Sequence, residues 1–337
     1  MPADLAGRLD LTPDVRMTSY TYSEVFGSVP AVVWQVPGVI TLLANGPARL
    51  TVAARWGAIA AAGPRTDDVL ELLRMEAPGE RARLTVADAA AGGGPSWAGA
   101  GPRSARAGAT LLISISPPAG CGLSTAAAAS AAVALCLRDV AITGHHEAEP
   151  ALSSGEGGPH ALLDGKRFPF DLEAAGLRLA LIDTRVRRAP RPTIAEQAPL
   201  EAVEAALNAC DLAALGPMLT AAHQALPRGE LRCDDELPHG ELPCDDELRC
   251  HDELPHGEPR CDDEQEIAVS TALAAGALGA RAIVDGPGRP VCALLPADRV
   301  TAVRAALRAE FRRRDLRTPR LLTISPAHGP RRFSSQP

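Results

Sequence analysis

The sequence predicts an α+β fold, in which strands and helices are mixed without the steady alternation of a parallel α/β sheet. Short β-prone runs dominate the first part of the chain, one long apolar helix occupies its middle, and helices and strands are mixed again towards the end. A length of 337 residues with 46% hydrophobic residues is enough for a substantial core and for two domains.

The predicted strands are short runs of apolar and β-branched residues. Pro37 and Gly38 interrupt the first of these runs and predict a turn between two strands. Residues 88–108 are rich in Gly, Ala and Pro and predict a loop or a frayed helix. The predicted strands cover residues 31–36, 39–43, 50–54, 111–116, 178–184 and 291–295.

The predicted helices follow from hydrophobic periodicity. Residues 126–140 are apolar on nearly every side, which indicates a buried helix. Gly279 is expected to end a helix over residues 268–278. Periodic apolar positions predict further helices at residues 198–213, 217–226 and 298–314.

Composition narrows the class of protein. Aromatic residues make up only 3% of the chain, so the core must be built from Ala, Leu and Val, and we expect modest stability. The most apolar run, residues 126–137, is shorter than the roughly 20 residues that a membrane span needs. With no secretory signal pattern, the eight cysteines indicate reduced thiols and a cytoplasmic protein. Arginine supplies nearly all positive charge, which indicates coding bias rather than a nucleic-acid surface.

Residues 230–264 form an acidic tandem repeat. The stretch 232–241 recurs at 249–258, so the period is 17 residues. The segment holds 14 acidic residues and three arginines, so its net charge of −11 is more negative than the −7 of the whole chain. Its Cys and His residues allow a metal site, although their spacing is unlike that of structural zinc ligands. We favour the alternative, an expansion that cannot pack a core and is predicted to be disordered.

A glycine-bearing turn runs directly into the apolar helix. Gly120 and Gly122 allow a tight bend, and Ser124 and Thr125 follow at the helix start. Free N–H groups at a helix start can cradle a phosphate. The simpler alternative is a turn in which Ser124 or Thr125 only caps the helix. No Lys follows the glycines, so the segment is not a Walker loop.

The segment 118–127, Pro-Ala-Gly-Cys-Gly-Leu-Ser-Thr-Ala-Ala, resembles the Pro-x-Gly-x-Gly-Leu-Ser-Ser-Ser-Ala phosphate loop of galactokinases, which are GHMP kinases. Residues 284–289 resemble the family's C-terminal glycine motif, of which Gly286 and Gly288 remain. From about residue 24 onward, other stretches agree in the same order: residues 34–43, 160–164, 179–187, 276–296 and 325–332.

The resemblance implies two α+β domains with a nucleotide site between them. The N-terminal kinase domain is expected at residues 20–190 and carries the phosphate loop 118–127. The C-terminal kinase domain is expected at residues 191–229 and 265–333, with the acidic insert 230–264 inside it.

The resemblance also implies ATP and Mg²⁺ as cofactors and a monosaccharide as substrate. Asn45 stands where the family grips sugar hydroxyls. Glu149 matches a magnesium ligand, although it could equally be a solvated surface residue. The ATP-binding residues are expected to be Gly120, Cys121, Gly122, Leu123, Ser124, Thr125 and Ala126.

Several catalytic groups of the family are missing, so no catalytic residue is assigned. Val39 stands at the position of the catalytic arginine, and the stretch that carries the catalytic aspartate is deleted. Ala126 replaces a serine that ligates magnesium in the family.

The sequence therefore predicts a galactokinase-like sugar kinase, whose family reaction is ATP-dependent phosphorylation of galactose at the C1 hydroxyl, with impaired catalysis. Two alternatives remain open. One is a non-catalytic nucleotide-binding or regulatory protein on a kinase scaffold. The other is a decayed gene product that folds poorly.

Overall fold

The computed structural model describes residues 5–117, 120–142, 159–187, 198–226, 261–284 and 288–334. Almost all of the predicted acidic insert lies outside these ranges. The helices are α1 (Pro13–Phe26), α2 (Val86–Ala90), α3 (Thr125–Ile142), α4 (Leu200–Asn208), α5 (Leu215–Gln224), α6 (Cys261–Ala274) and α7 (Val300–Arg313). The strands are β1 (Val32–Asn45), β2 (Ala48–Pro64), β3 (Val69–Arg74), β4 (Ala77–Thr85), β5 (Ala109–Ser116), β6 (His160–Leu163), β7 (Lys166–Pro169), β8 (Leu177–Arg187), β9 (Gly279–Ala282), β10 (Gly288–Pro296), β11 (Arg320–Ile324) and β12 (Arg331–Ser334).

The first sheet is built around the long β1–β2 hairpin. Its strand order is β12-β1-β2-β5-β3-β4, and β6 also pairs with β2 and with β7. All pairs are antiparallel except β3 with β5. Because side chains alternate along a strand, the sheet buries both faces. Trp34 packs with α3 on one face, and Val33 packs with α1 on the other.

The second sheet is antiparallel, with the order β11-β8-β10-β9. One face packs against α6 and α7, where Ile182 and Ala293 meet Phe311. The other face contributes Leu181 and Cys292 to a large cluster shared with the far half of the first sheet and with α4 and α5. The two sheets are therefore joined by one apolar core. This mixed architecture confirms the predicted α+β class.

Helix α5 covers the outer edge of the second sheet. The side chains of Thr220 and His223 accept the outward-facing N–H groups of Ala280 and Ala282, at 3.3 and 3.4 Å. Edge-strand donors thus find partners on a helix instead of in another strand. The helix can come this close because Gly279 has no side chain: a Cβ there would lie 1.8 Å from the backbone oxygen of Gly216.

Several element boundaries differ from the sequence-based prediction. The Pro37–Gly38 pair does not end a strand: β1 continues through it with a register shift. A Cβ on Gly57 in the facing strand would lie 2.2 Å from the carbonyl oxygen of Val36, so the glycine makes room for the irregularity. The helix predicted at residues 268–278 instead ends at Ala274, and Gly279 opens β9.

Strand β12 returns to the first sheet. It pairs with β1 through residues such as Arg332, which lies opposite Trp34. The predicted limits of the two kinase domains stay a prediction. Among the described residues, no helix has the length and apolarity that crossing a membrane requires.

Candidate functional site

The predicted phosphate loop is a tight bend between β5 and α3. Gly120 and Gly122 have φ angles of 81° and 100°, in the region that favours glycine. Cys121 and Leu123 are buried in the core between the sheets, whereas Ser124 is exposed. The bend is therefore anchored by two inward side chains and presents its last residue to solvent.

The two glycine motifs that the sequence singled out meet in space. Gly288, at the start of β10, lies directly against the loop: a Cβ there would be 1.6 Å from the carbonyl oxygen of Gly120. Gly122 packs against side chains of the second sheet, with Ile283 and Pro290 each 3.0 Å from the position of a Cβ. The loop thus lies between the two sheets.

The backbone N–H groups at the start of α3 are partly used within the protein, and those of Ala126 and Ala127 are available to a ligand. The N–H of Ser124 donates to the carbonyl of Val39 at 3.0 Å, and the N–H of Thr125 donates to Leu123 at 2.8 Å. The first helical hydrogen bond runs from Ala128 to Ser124. Within the described residues, the N–H groups of Ala126 and Ala127 have no hydrogen-bond partner, and both residues are exposed. The helix dipole and these N–H groups favour an anion here.

Val39 lies beside this helix start. It is half-buried, and its carbonyl accepts the Ser124 N–H. The position that the resemblance aligns with a catalytic arginine is therefore next to the loop, but its side chain is apolar. It supplies neither charge nor a hydrogen-bond donor to a bound phosphate.

Asn45 lies at the end of β1, in the tight hairpin that leads to β2. Gly46 takes a φ of 56° there. The Asn45 amide donates from Nδ2 to the carbonyl of Ala198 at 3.0 Å, and the residue is exposed. One of the two N–H groups of this amide has a partner within the protein, so among the described residues the second N–H and the oxygen are open to a sugar hydroxyl.

The predicted magnesium ligand, Glu149, lies outside the described part of the chain, so its role stays a prediction. Ala126, where the family has a ligating serine, has no side-chain oxygen. Among the described residues, no group of three or more His, Cys, Asp or Glu side chains is placed to hold a metal ion. Magnesium takes oxygen ligands, commonly one or two carboxylates together with substrate phosphates and water, so the predicted site depends on Glu149.

One buried arginine was missed in the sequence. Arg281 is 2% exposed, and its Nη1 donates to the carbonyl of Leu42 at 2.8 Å, which joins β9 of the second sheet to β1 of the first. The sequence feature that could have revealed it is a single charged residue among the small, apolar residues of β9. On the neighbouring strand, burial raises the pKa of the Cys292 thiol to about 12, and the nearby Arg281 charge only partly offsets this.

Comparisons with known proteins agree with the resemblance. The chain is 26% identical to a galactokinase of Streptomyces coelicolor over an alignment 403 positions long, gaps included, which covers 93% of this chain and 97% of that protein. No protein-family model matches the chain.

Solved structures show the same fold. The galactokinase of Lactococcus lactis, solved in complex with galactose, matches with a TM-score of 0.63 at 16% identity over 94% of this chain and 99% of that one. The mevalonate kinase of Methanococcus jannaschii matches with a TM-score of 0.54 at 11% identity over 89% of this chain and 99% of that one. The chain is thus similar in sequence to a galactokinase and has the fold that these two kinases share.

Proposed function

We propose that this chain binds the phosphates of ATP at the loop from Gly120 to Ala126 and works on the scaffold of a sugar kinase. The observation that carries the proposal is the pair of N–H groups of Ala126 and Ala127 at the exposed start of α3, which have no partner among the residues that the structure describes. Donors of this kind, together with the positive end of the helix dipole, favour a phosphate group.

The family reaction, phosphorylation of galactose at its C1 hydroxyl by MgATP, is the activity we assign to the scaffold. We expect this chain to perform it poorly. Phosphoryl transfer depends on positioning and on charge neutralisation. Val39 brings no charge to the loop, and losing one such group commonly slows a reaction on the order of 100-fold or more.

A nucleotide-binding protein without efficient turnover is the second candidate. It is favoured by the contrast between the loop and its surroundings: the backbone donors are present, whereas Val39 and Ala126 offer no catalytic or metal-binding group. No step through magnesium is derived, because its predicted protein ligand, Glu149, lies outside the described residues. A cytoplasmic location fits both candidates and is part of the proposal.

The first experiment is a thermal-shift titration of the full chain with ATP, with and without Mg²⁺. Binding to the folded state must raise the unfolding midpoint. When ATP is 100-fold above its Kd, the free energy of unfolding should increase by about 2.7 kcal/mol. Ser124→Asp should remove the shift, because it adds a carboxylate beside the free N–H groups. Thr301→Asp, at an exposed position in the first turn of α7, is the matched control and should keep it.

The second experiment supplies MgATP and galactose and measures galactose phosphate against a control without protein. Product above that control supports the kinase. ATP binding without product supports the nucleotide-binding candidate. A cooperative melt with no ATP shift and no product overturns both, and the lack of any cooperative melt supports the decayed gene product.

A further inference from the structure

A cavity of about 400 Å³ lies away from the phosphate loop, between the carboxyl-terminal half of α3 and the turn before β5. Three arginines, Arg103, Arg106 and Arg138, line it. Apolar and small side chains form the rest of the wall, among them Leu135 and Ala141. Cavities of this size accommodate small metabolites.

The described residues of this lining carry positive charge and no carboxylate. Across the described ranges, neither Arg103 nor Arg106 makes an ion pair. Arg138 lies 3.5 Å from Asp139 Oδ1, but the other oxygen of Asp139 is already held by Arg332. Most other arginine ion pairs among the described residues are closer, such as Arg65 with Asp67 at 2.7 Å.

Backbone carbonyls hold one guanidinium group, that of Arg106, in place. Arg106 donates from Nη1 to the carbonyls of Arg103 and Ala105, at 3.2 and 2.9 Å. Its Nε and Nη2 groups have no hydrogen-bond partner in the described part of the chain. Arg103 lies over Gly92, where a Cβ would be 2.7 Å from its Nη2. Orienting arginines before a ligand arrives lowers the entropy cost of binding it.

We propose that this cavity binds a small phosphorylated metabolite. The planar arginine fork matches phosphate oxygens, and the apolar wall suits a short carbon chain. The carboxyl end of α3 carries only a fraction of a negative charge, which three guanidinium groups outweigh. Arg138 follows Thr125 by 13 positions along α3, about 20 Å along the helix axis, so this site is distinct from the phosphate loop.

The test titrates glycerol 3-phosphate into the full chain by calorimetry, at an ionic strength held constant with NaCl. Inorganic phosphate and glycerol are separate arms. We expect saturable binding of glycerol 3-phosphate, weaker binding of inorganic phosphate, and none of glycerol. Equal affinity for glycerol 3-phosphate and for inorganic phosphate would show that the site binds the free ion, and would overturn the proposal of a phosphorylated metabolite.

Three variants locate the binding. Arg103→Gln with Arg106→Gln should weaken it at least 10-fold. Arg83→Gln with Arg308→Gln removes the same charge at two exposed positions elsewhere and should change it less than 2-fold. Ser124→Asp, which blocks the phosphate loop, should leave it unchanged.

The contrary outcomes are equally definite. No binding to the unmodified protein overturns the proposal, as does an equal loss in both double variants, which would indicate a general charge effect. Loss of binding in Ser124→Asp would place the ligand at the loop. If circular dichroism shows that the first double variant does not fold, Arg106→Gln alone replaces it, with the same expectation of weaker binding.

Discussion

Gly288 is the residue on which the geometry of the phosphate loop most directly depends. Its Cα lies against the carbonyl of Gly120, which belongs to the backbone and cannot rotate away as a side chain would. The resemblance marked both residues as members of glycine motifs, but their contact joins two segments far apart in sequence. Only the tertiary structure could show that one glycine makes room for the other.

Gly288→Ala should therefore disturb the loop. Relieving a contact of 1.6 Å requires the backbone to move, which commonly costs about 1–3 kcal/mol. We expect a lower unfolding midpoint and at least 10-fold weaker ATP binding in the thermal-shift titration. Gly79→Ala is the matched control, because no atom lies within 4 Å of a Cβ there. A Gly288→Ala variant that binds ATP normally would show that the loop does not need this packing.

At the scale of elements, the chain shows which patterns local sequence can resolve. The predicted helix at 126–140 corresponds to α3, because it is apolar on all sides and has clear boundaries. Helix α1 was missed, since its buried face includes Thr18 and Ser19, which do not read as a hydrophobic stripe. The β3–β4 hairpin was also missed, because β4 is a largely exposed edge strand rich in charge.

The candidate site also combines features that local sequence can predict with features that need the tertiary structure. Its residues could be proposed from the motif, since the order of glycines and hydroxyls before an apolar helix is local. The sequence could not show that the N–H groups of Ala126 and Ala127 have no partner among the described residues, because this depends on how the chain folds around them. The neighbouring N–H of Ser124, for example, donates to the carbonyl of Val39, and this hydrogen bond joins two elements that are distant in sequence.

The docking of β12 depends on a buried carboxylate. Asp139 in α3 is 8% exposed and accepts from Trp34 Nε1 at 2.9 Å and from Arg332 Nε at 2.7 Å. One side chain thus links α3 to β1 and to the last strand. Buried polar groups of this kind are costly to leave without a partner.

Asp139→Ala should destabilise the protein by about 2–4 kcal/mol, because it leaves the indole N–H and a partly buried guanidinium without their acceptor. Denaturant unfolding measures the loss, and hydrogen exchange should show faster exchange in residues 331–334. Asp67→Ala, which breaks an exposed pair with Arg65, is the control and should cost clearly less. Equal losses in the two variants would contradict a special role for Asp139.

At the scale of the whole molecule, we expect the apolar cluster between the two sheets to make the protein one cooperative unit. It takes Ile40 and Val52 from the first sheet and Leu181 and Cys292 from the second. The phosphate loop contributes Cys121 and Leu123 to the same cluster. Opening the sheets would therefore expose the loop's anchors together with the core.

Cysteine labelling can test this cooperativity. Cys210 is exposed, whereas Cys121 and Cys292 are buried in the cluster. Near pH 8 almost none of Cys292 is thiolate, because burial raises its pKa to about 12. With iodoacetamide and peptide mapping, we expect Cys210 to react fast and Cys121 and Cys292 to react slowly, at one shared rate that follows global unfolding as urea is added. If instead Cys121 reacts well ahead of Cys292 without urea, the phosphate loop opens independently of the sheets and the cluster is not a single cooperative unit.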